Sequence, residues 1–376
     1  MTNSGQKAGT GTERSQDKVG TCLADLLRLG EVQSHGPLSV VPLRADTRGG
    51  PWYVTLGEAA ATGQCRVAEV SEGGSVPDLR VENKGDTRVL VVDGEELRGT
   101  KQNRVLNTTI LVGKESSLVV PVSCTEQGRW TYESREFLMA EYIAEQGVRA
   151  GLQRTVDASV RSGRGHRSDQ GRVWDEVRAL HMDQATSSPT GAMRGAFESR
   201  SGELQGYVDA LPAGDEQQGL LVLLGSAVVG LDFLSIPEKY ARIHAKFVRS
   251  YALGALGAET GGATAPAPAD ALERAREFLA RVAGLGGERF KSPGLGWDTR
   301  FAGPGIVGSL LTYRDRPIHA AFFAVEDGGE ARGRDAGGAD GRIAGARVRA
   351  RARGAWGGSR SPQDAGPDDT QGEEPR

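Results

Sequence analysis

Most side chains that could do chemistry lie in one stretch of the sequence, between residues 93 and 130. The stretch carries carboxylates, amides, guanidinium groups, an amine, a thiol and an indole, which belong to Glu95, Glu96, Lys101, Gln102, Asn103, Arg104, Cys124, Glu126, Arg129 and Trp130. Arginine and lysine can clamp a phosphate or a carboxylate through charge-assisted hydrogen bonds. The amides could read the edge of a base or ribose, and the indole could stack on a ring. We therefore predict a ligand-binding site in this stretch.

Two residues of the stretch are candidates for catalysis. Glu126 follows a predicted strand, where functional side chains are often presented, and could act as an acid or base. Cys124 could be a nucleophile if Lys101 or Arg129 lowered the pKa of its thiol, although no histidine is nearby in the sequence. The structural alternative is an inert buried cysteine at a strand end and a glutamate in an ion-pair network.

The predicted clamp also has a structural alternative. Arginine and tryptophan side chains often pack together as cation–π pairs, and amides can cap the ends of strands. Buried polar networks of this kind often only specify a fold, so the sequence leaves both interpretations open. No spacing of His, Asp or Glu in the stretch is diagnostic of metal ligands, and we predict no metal site.

Two apolar runs must position these residues. Residues 105–112 and 117–124 are rich in aliphatic and β-branched residues, and each run predicts a strand. The short segment between them predicts an antiparallel hairpin. Such a hairpin would place residues 101–104 next to residues 126–130 at one end of a sheet.

The motifs in this stretch resemble those of a known bacterial family. The residues that carry the resemblance are Gly94-Glu95-Glu96-Leu97, Gly99, Lys101-Gln102-Asn103-Arg104, Ser123-Cys124, Glu126 and Gly128-Arg129-Trp130. They are similar to the domain family associated with ADP-ribosylglycohydrolase and the rhodanese-phosphatase superfamily, and the resemblance extends over about residues 21 to 325. It implies a link to the metabolism of ADP-ribose or of NAD-derived nucleotides.

Composition excludes several classes of function. The net charge of −3 over 376 residues gives no global attraction to nucleic acid or to a membrane. The most apolar run, residues 220–234, contains Asp232 and is too short to span a bilayer, so it predicts a buried hairpin. The cysteines Cys22, Cys65 and Cys124 share no metal-type spacing, which suits free thiols in a reducing cytoplasm. We expect a cytoplasmic protein that binds neither membranes nor nucleic acid.

The order of sequence patterns predicts an α+β protein. Residues 1–20 are polar and residues 326–376 are Gly/Arg-rich and then acidic, so both segments are predicted to be disordered tails. The structured region between them, residues 21–325, begins with mostly antiparallel strands and continues with helices and two further β-hairpins. The first of these helices is predicted over residues 132–160. Residues 161–171 predict a solvated connector, with a cover over a bound anion as the alternative. One domain and two packed lobes both fit the pattern.

These observations lead to two hypotheses of function. The leading one is the binding or processing of an ADP-ribose or NAD-derived nucleotide by the polar cluster at residues 93–130. The competing one is a non-enzymatic interaction or ligand-sensing module in which the cluster is a structural network. The sequence indicates no particular cofactor or protein partner.

Overall fold

A computed structural model describes residues 19–47, 50–71, 77–99, 101–130, 134, 136–259 and 262–326. The predicted disordered tails at residues 1–20 and 326–376 lie almost wholly outside the described residues, as does the Arg-rich segment within the second tail.

The described residues combine helices and strands in similar amounts, which confirms the predicted α+β class. The helices are α1 (Val19–Leu26), α2 (Leu56–Ala61), α3 (Gln146–Arg161), α4 (Gln170–Asp183), α5 (Arg194–Ser199), α6 (Ser201–Ala210), α7 (Pro237–Glu259) and α8 (Pro268–Ala283). The first twelve strands are β1 (Arg28–Leu29), β2 (Gln33–His35), β3 (Leu38–Arg44), β4 (Tyr53–Thr55), β5 (Cys65–Glu69), β6 (Asp78–Asn83), β7 (Arg88–Val91), β8 (Glu95–Gly99), β9 (Arg104–Leu106), β10 (Ile110–Val112), β11 (Ser116–Cys124) and β12 (Phe137–Ile143). The later strands are β13 (Gly219–Leu224), β14 (Ala227–Leu234), β15 (Gly287–Lys291), β16 (Trp297–Gly303), β17 (Ile306–Tyr313) and β18 (Arg316–Ala324).

A large antiparallel sheet forms the centre of the fold. Its strands follow the order β1-β3-β13-β14-β18-β17-β16-β15, and β2 pairs with β3 outside this path. The sheet is covered on both faces, so β13 is buried along its whole length and its sequence is continuously apolar. Side chains alternate between the faces: Leu221 and Leu223 pack in the core under α1 and α8, and Leu220 and Val222 pack in the core that includes α3 and α7.

A smaller β unit carries the polar stretch. It contains a three-stranded sheet, β10-β7-β4, and a six-stranded sheet, β12-β8-β9-β11-β6-β5. The two edge strands of the six-stranded sheet, β12 and β5, also contact each other, so this sheet is strongly curled. Its concave side and the three-stranded sheet enclose a separate apolar core, which α2 helps to cover. Thr55 begins α2 as a capping box with Glu58.

Both predicted later hairpins are present. β13 and β14 pair around Gly225, and β17 and β18 pair around Arg314 and Asp315. Gly63, which follows the C-cap residue Thr62 of α2, has the left-handed φ of +69° that favours glycine. Within the described residues, no helix is long and apolar enough to cross a membrane.

The helix predicted over residues 132–160 is partly wrong. Phe137–Ile143 forms β12, which pairs with β8 and closes the curled sheet, and the helix starts only at Gln146. The carboxylate of Glu145 accepts hydrogen bonds from the backbone N–H groups of Gly147 and Val148 and thereby caps the helix. The apolar residues of this segment fit either a helix or a strand, and pairing with β8 decides between them.

The single strand predicted over residues 105–112 is also wrong in part. The run breaks at Asn107, and β9 and β10 belong to different sheets. β9 pairs with the end of β11, with Arg104 opposite Cys124, as the predicted hairpin required. β10 instead pairs with β7. The break directs Asn107, Thr108 and Thr109 into buried polar contacts that a regular strand would not allow.

The connector at residues 161–171 is mostly exposed, as predicted for a solvated segment, but it is attached to the sheet. The backbone oxygen of His166 accepts a hydrogen bond from the Asn107 amide, and the hydroxyl groups of Ser168 and Ser123 contact each other. The side-chain amide of Gln170 then bonds both the N–H and the oxygen of Cys124. The connector therefore covers the end of β11.

Candidate functional site

The ends of β8, β9 and β11 bring the predicted residues together. Leu97 lies opposite Arg104, and Arg104 lies opposite Cys124, so Arg104 and Cys124 point to the same, concave side of the curled sheet. Glu96 lies opposite Val105 and points to the other side, towards α5. Gln102 and Asn103 occupy the turn between β8 and β9. At this end of the sheet, the predicted residues on the two faces therefore lie in different surroundings.

Arg104 is the least compensated charge of the site. Its side chain is 0% exposed, and only Nη1 is bonded, to Oε1 of Gln102 at 3.1 Å. Nε and Nη2 find no hydrogen-bond acceptor in the described part of the chain. Burial lowers the pKa of Arg104, and the nearby Cys124 and Glu69 raise it by less. A buried guanidinium with two unbonded nitrogen atoms is costly unless a ligand or an ordered water completes its hydrogen bonds.

Trp130 covers this guanidinium. The Cζ atom of Arg104 is 5.8 Å from the centre of the indole ring, and Nζ of Lys101 is 5.3 Å from it. The predicted cation–π packing is therefore present. The indole is also 48% exposed, so part of its surface is accessible to a planar ligand group.

Glu126 is the fully bonded centre of a polar network. Its Oε2 accepts from Arg129 Nη2 at 2.7 Å and from the backbone N–H of Asn103 at 3.2 Å, and its Oε1 accepts from the hydroxyl of Thr190 at 2.7 Å. Burial alone would raise the pKa of Glu126, but these bonds lower it below its ordinary value. An ionised, fully bonded carboxylate fits the structural interpretation. The catalytic role of Glu126 stays a prediction. The charge of Arg129 is paired with the Glu126 carboxylate, so Arg129 is not free to form a clamp.

Cys124 lies beside Arg104 on the concave side. Burial raises the pKa of its thiol to about 11, and the neighbouring guanidinium lowers it by less. The thiol is therefore protonated at neutral pH, which favours an inert cysteine over a nucleophile. Its proposed catalytic role also stays a prediction.

The two adjacent glutamates of the motif have separate partners. Glu95 accepts from Nζ of Lys246 at 3.2 Å and from the N–H of Val92 at 3.0 Å, beside an open groove of about 550 Å³ between α2 and α7. Glu96 accepts from the hydroxyl of Thr125 at 3.2 Å. The structure thus places Glu95 away from the other nine predicted residues.

The sequence did not reveal a second buried cluster, between the large sheet and the smaller β unit. The guanidinium of Arg149 in α3 bonds Asp232 of β14 at 2.9 Å and Asp93 of the β7–β8 turn at 3.3 Å. Burial alone would lower the pKa of Arg149, but the two carboxylates raise it well above its ordinary value. His319 of β18 bonds Thr109 at 2.9 Å, and burial lowers its pKa, so its ring is neutral at pH 7.

The cluster continues through Gln153 to Arg300. The guanidinium of Arg300 bonds Gln153 and Asp298 at 2.7 Å each, and Asp298 also contacts His166 at 2.8 Å. The only sequence signal was polar residues inside strand patterns, such as Asp232 and Asp298. Arg149 lies on a helix face that gave no signal at all. This cluster joins the two parts of the fold, because its ion pairs and hydrogen bonds connect α3 and β14 with the β7–β8 turn. Nε of Arg149 and Nε2 of His319 have no hydrogen-bond partner among the described residues.

No group of three or more His, Cys, Asp or Glu side chains is placed to hold an ion among the described residues. Another open groove, of about 620 Å³, lies beside Trp52 and the start of α7, and no residue of the polar stretch lines it. The buried guanidinium of Arg104 under Trp130 is thus the feature of the polar stretch that most needs a partner.

Comparison with known proteins supports the resemblance noted in the sequence. No curated protein and no solved structure matches the chain. The family model of the ARG and Rhodanese-Phosphatase-superfamily-associated Protein domain matches residues 26–323, which is most of the chain. This range includes the whole polar stretch at residues 93–130 and the buried cluster around Arg149. The chain therefore belongs to the ARG and Rhodanese-Phosphatase-superfamily-associated Protein domain family.

Proposed function

We propose that the chain binds an ADP-ribose-like or NAD-derived nucleotide, with Arg104 and Trp130 as the main contacts. One observation carries the proposal: the Arg104 guanidinium is completely buried, and its Nε and Nη2 have no acceptor among the described residues. Two neighbouring N–H groups of a guanidinium form the planar fork that suits two oxygens of a phosphate. The half-exposed indole above it suits a base or another flat ring.

The family name adds support for this class of ligand, because ARG stands for ADP-ribosylglycohydrolase. A nucleotide of this class combines phosphate oxygens with a planar ring, and the site combines a guanidinium with an indole. Lys101, whose amine lies over the same ring, adds positive charge beside the indole. The site therefore matches both parts of the ligand.

A second candidate function is a non-enzymatic interaction or sensing module with a structural polar network. The bonding of Glu126 to Arg129, Thr190 and Asn103 favours it, because this part of the cluster needs no ligand. Burial raises the pKa of the Cys124 thiol, which also favours this candidate. Our proposal is therefore one of binding, and it assigns no reaction.

A thermal-shift screen against ADP-ribose, NAD and related nucleotides tests the proposal, with mass spectrometry of each incubated nucleotide to detect turnover. We expect ADP-ribose or NAD to raise the melting temperature of the wild-type chain and to leave that of Trp130→Ala nearly unchanged. Exposed Trp52 provides the matched control, since Trp52→Ala should keep the ligand response. No stabilisation by any nucleotide, or equal stabilisation of all three proteins, would refute the proposed site.

A further inference from the structure

A groove of about 550 Å³ lies between α2 and α7 and shares no lining residue with the surroundings of Arg104 and Trp130. Its lining combines apolar and charged side chains, among them Val54, Ile243, Glu58, Glu95, Arg242 and Lys246. Small-molecule sites are usually clefts of about 300–1,000 Å³ with such a mixed lining. The groove is therefore large enough for a ligand of its own.

Three cations of α7 lie along this side of the helix. Lys239, Arg242 and Lys246 follow one another at intervals of three and four residues, which places them on one face. Nζ of Lys239 is 2.8 Å from Oε1 of Glu58, and Nζ of Lys246 is 3.2 Å from Oε1 of Glu95. Arg242, between the two lysines, forms no ion pair and no side-chain hydrogen bond within the described residues. The middle cation thus lacks the glutamate partner that each of its neighbours has.

The charges around Arg242 leave the groove positive. Glu58 and Glu95, the carboxylates of its lining, each pair with a lysine. Glu238, one turn before Arg242, lines the other groove, beside Trp52, and forms no ion pair with Arg242. Three cations therefore face two carboxylates, and the excess positive charge is located at Arg242. A cation in this position at the wall of a groove attracts an anion.

Glu95 fixes the amine of Lys246 at the groove. Glu95 is only 3% exposed, and its other oxygen accepts from the backbone N–H of Val92 at 3.0 Å. The bond to Glu95 uses one of the three N–H donors of the ammonium group, so the other donors can bond a ligand. Arg242 lies one helical turn from Lys246, so the two side chains can bond one oxyanion placed between them.

We propose that this groove is a second binding site, which takes a small organic anion. The carboxylate or phosphate group of the ligand bonds Arg242 and Lys246, and its apolar part packs on Val54 and Ile243. Glu95, which the sequence motif singled out, holds Lys246 in this site and limits its charge. The proposal does not rest on the nucleotide function, because no residue of the groove contacts Arg104 or Trp130.

The test uses methyl NMR of the full chain, labelled with carbon-13 in the methyl groups of isoleucine and alanine. Ile243 and Ala61 line the groove, and Ile306, in the core under α8, is the reference. Monobutyl phosphate and butyrate are titrated at pH 7.5, with sodium chloride at the same ionic strength as the blank. We expect at least one of the two probes to shift the Ile243 and Ala61 signals to saturation. The probe that binds more tightly identifies the head group as phosphate or carboxylate.

Three variants assign the binding to the named charges. Arg242→Gln should weaken binding of the tighter probe about tenfold, the effect of losing one charge-assisted hydrogen bond. Arg249→Gln is the matched control, because Arg249 belongs to the same helix but bonds Gln205 outside the groove, and the affinity should stay unchanged. Glu95→Gln keeps the shape of the side chain and removes the negative charge beside Lys246, so it should tighten binding about threefold.

Solvated cations without a ligand would give a different result. In that case neither probe would shift the groove methyl signals beyond sodium chloride, and this outcome would overturn the proposal. Equal affinity of wild type and Arg242→Gln would overturn it as well. Arg242 is exposed, so this variant should stay folded and decides the question even if Glu95→Gln unfolds. A folded Glu95→Gln protein with unchanged affinity would contradict the role of Lys246.

Discussion

Replacing Arg104 by Met should stabilise the ligand-free protein while it removes nucleotide binding. Each buried donor without a partner costs about 1–3 kcal/mol, and Arg104 has two such donors, Nε and Nη2. The substitution loses one hydrogen bond, to Gln102, which contributes about 1 kcal/mol. Methionine is unbranched and apolar, so it can fill the space of the arginine side chain.

The net effect is a gain of about 1–5 kcal/mol in the free energy of unfolding. For a chain of this size the melting temperature should rise by roughly 2 °C per kcal/mol. Scanning calorimetry of wild type and Arg104→Met, each with and without ADP-ribose, measures both effects. The wild type should gain stability from the ligand, and the variant should not.

Arg129→Met is the matched control, because it removes the same kind of side chain from the same cluster. It leaves the buried Glu126 carboxylate without its ion-pair partner, which costs about 3–5 kcal/mol of stability. The two substitutions should therefore change the melting temperature in opposite directions. If Arg104→Met lowered it by several degrees and left ADP-ribose binding intact, Arg104 would be a structural residue and the reasoning would fail.

Three other predictions follow from burial and charge. The thiols of Cys65 and Cys124, each with a pKa raised by burial to about 11, should react with a thiol reagent at pH 7 only after unfolding, and rapid labelling of the native protein would contradict this. Arg149→Met should lower the free energy of unfolding by about 3–5 kcal/mol, because two buried carboxylates lose their partner, while Arg178→Met breaks an exposed pair and should cost under about 1 kcal/mol in the same denaturation assay. The raised pKa of Glu96 means that the folded state binds the proton more tightly than the unfolded state, so this group's contribution to stability is lost as pH rises from about 4.5 to about 7. The stability of Glu96→Gln relative to wild type should therefore grow by up to about 3 kcal/mol over that pH range. A constant difference between the two proteins would show that Glu96 does not titrate there.

The sequence predicted which parts of the polar stretch lie together, but not the contacts of each side chain. The apolar runs before and after the loop at residues 113–115 were enough to place residues 101–104 next to residues 126–130, because chain direction follows from a hairpin. What the pattern could not show is which face each side chain takes relative to the rest of the fold. Glu95 and Glu96 are neighbours in sequence, but alternation along β8 sends them to different partners.

The errors in secondary structure have one physical cause, which is pairing between distant segments. Residues 137–143 became β12 because β8 offers a partner strand there, and local periodicity contains no information about that partner. The run at residues 105–112 broke at Asn107 because its polar groups find buried partners, such as the connector at His166 and the carboxylate of Asp93 through Thr109.

The buried cluster around Arg149 could not be predicted for the same reason. Its carboxylates, Asp93 and Asp232, are separated in sequence by five strands of the smaller β unit and by four helices, and neither has a motif around it. These ion pairs form only when the β7–β8 turn, β14 and α3 have come together in the folded protein. Asp232 was recognisable as an acid inside an apolar run, but its role was not.

The central claim is that Arg104 holds an anionic group of a nucleotide, and titration calorimetry of ADP-ribose against wild type and Arg104→Lys tests it most directly. Lysine keeps the positive charge but lacks the planar fork, so it cannot donate the two parallel hydrogen bonds, each worth about 1.5–3 kcal/mol. We predict that ADP-ribose binds the wild type and that Arg104→Lys, still folded, binds it at least about tenfold more weakly. Equal affinity for the two folded proteins, or no binding by the wild type, would contradict the claim.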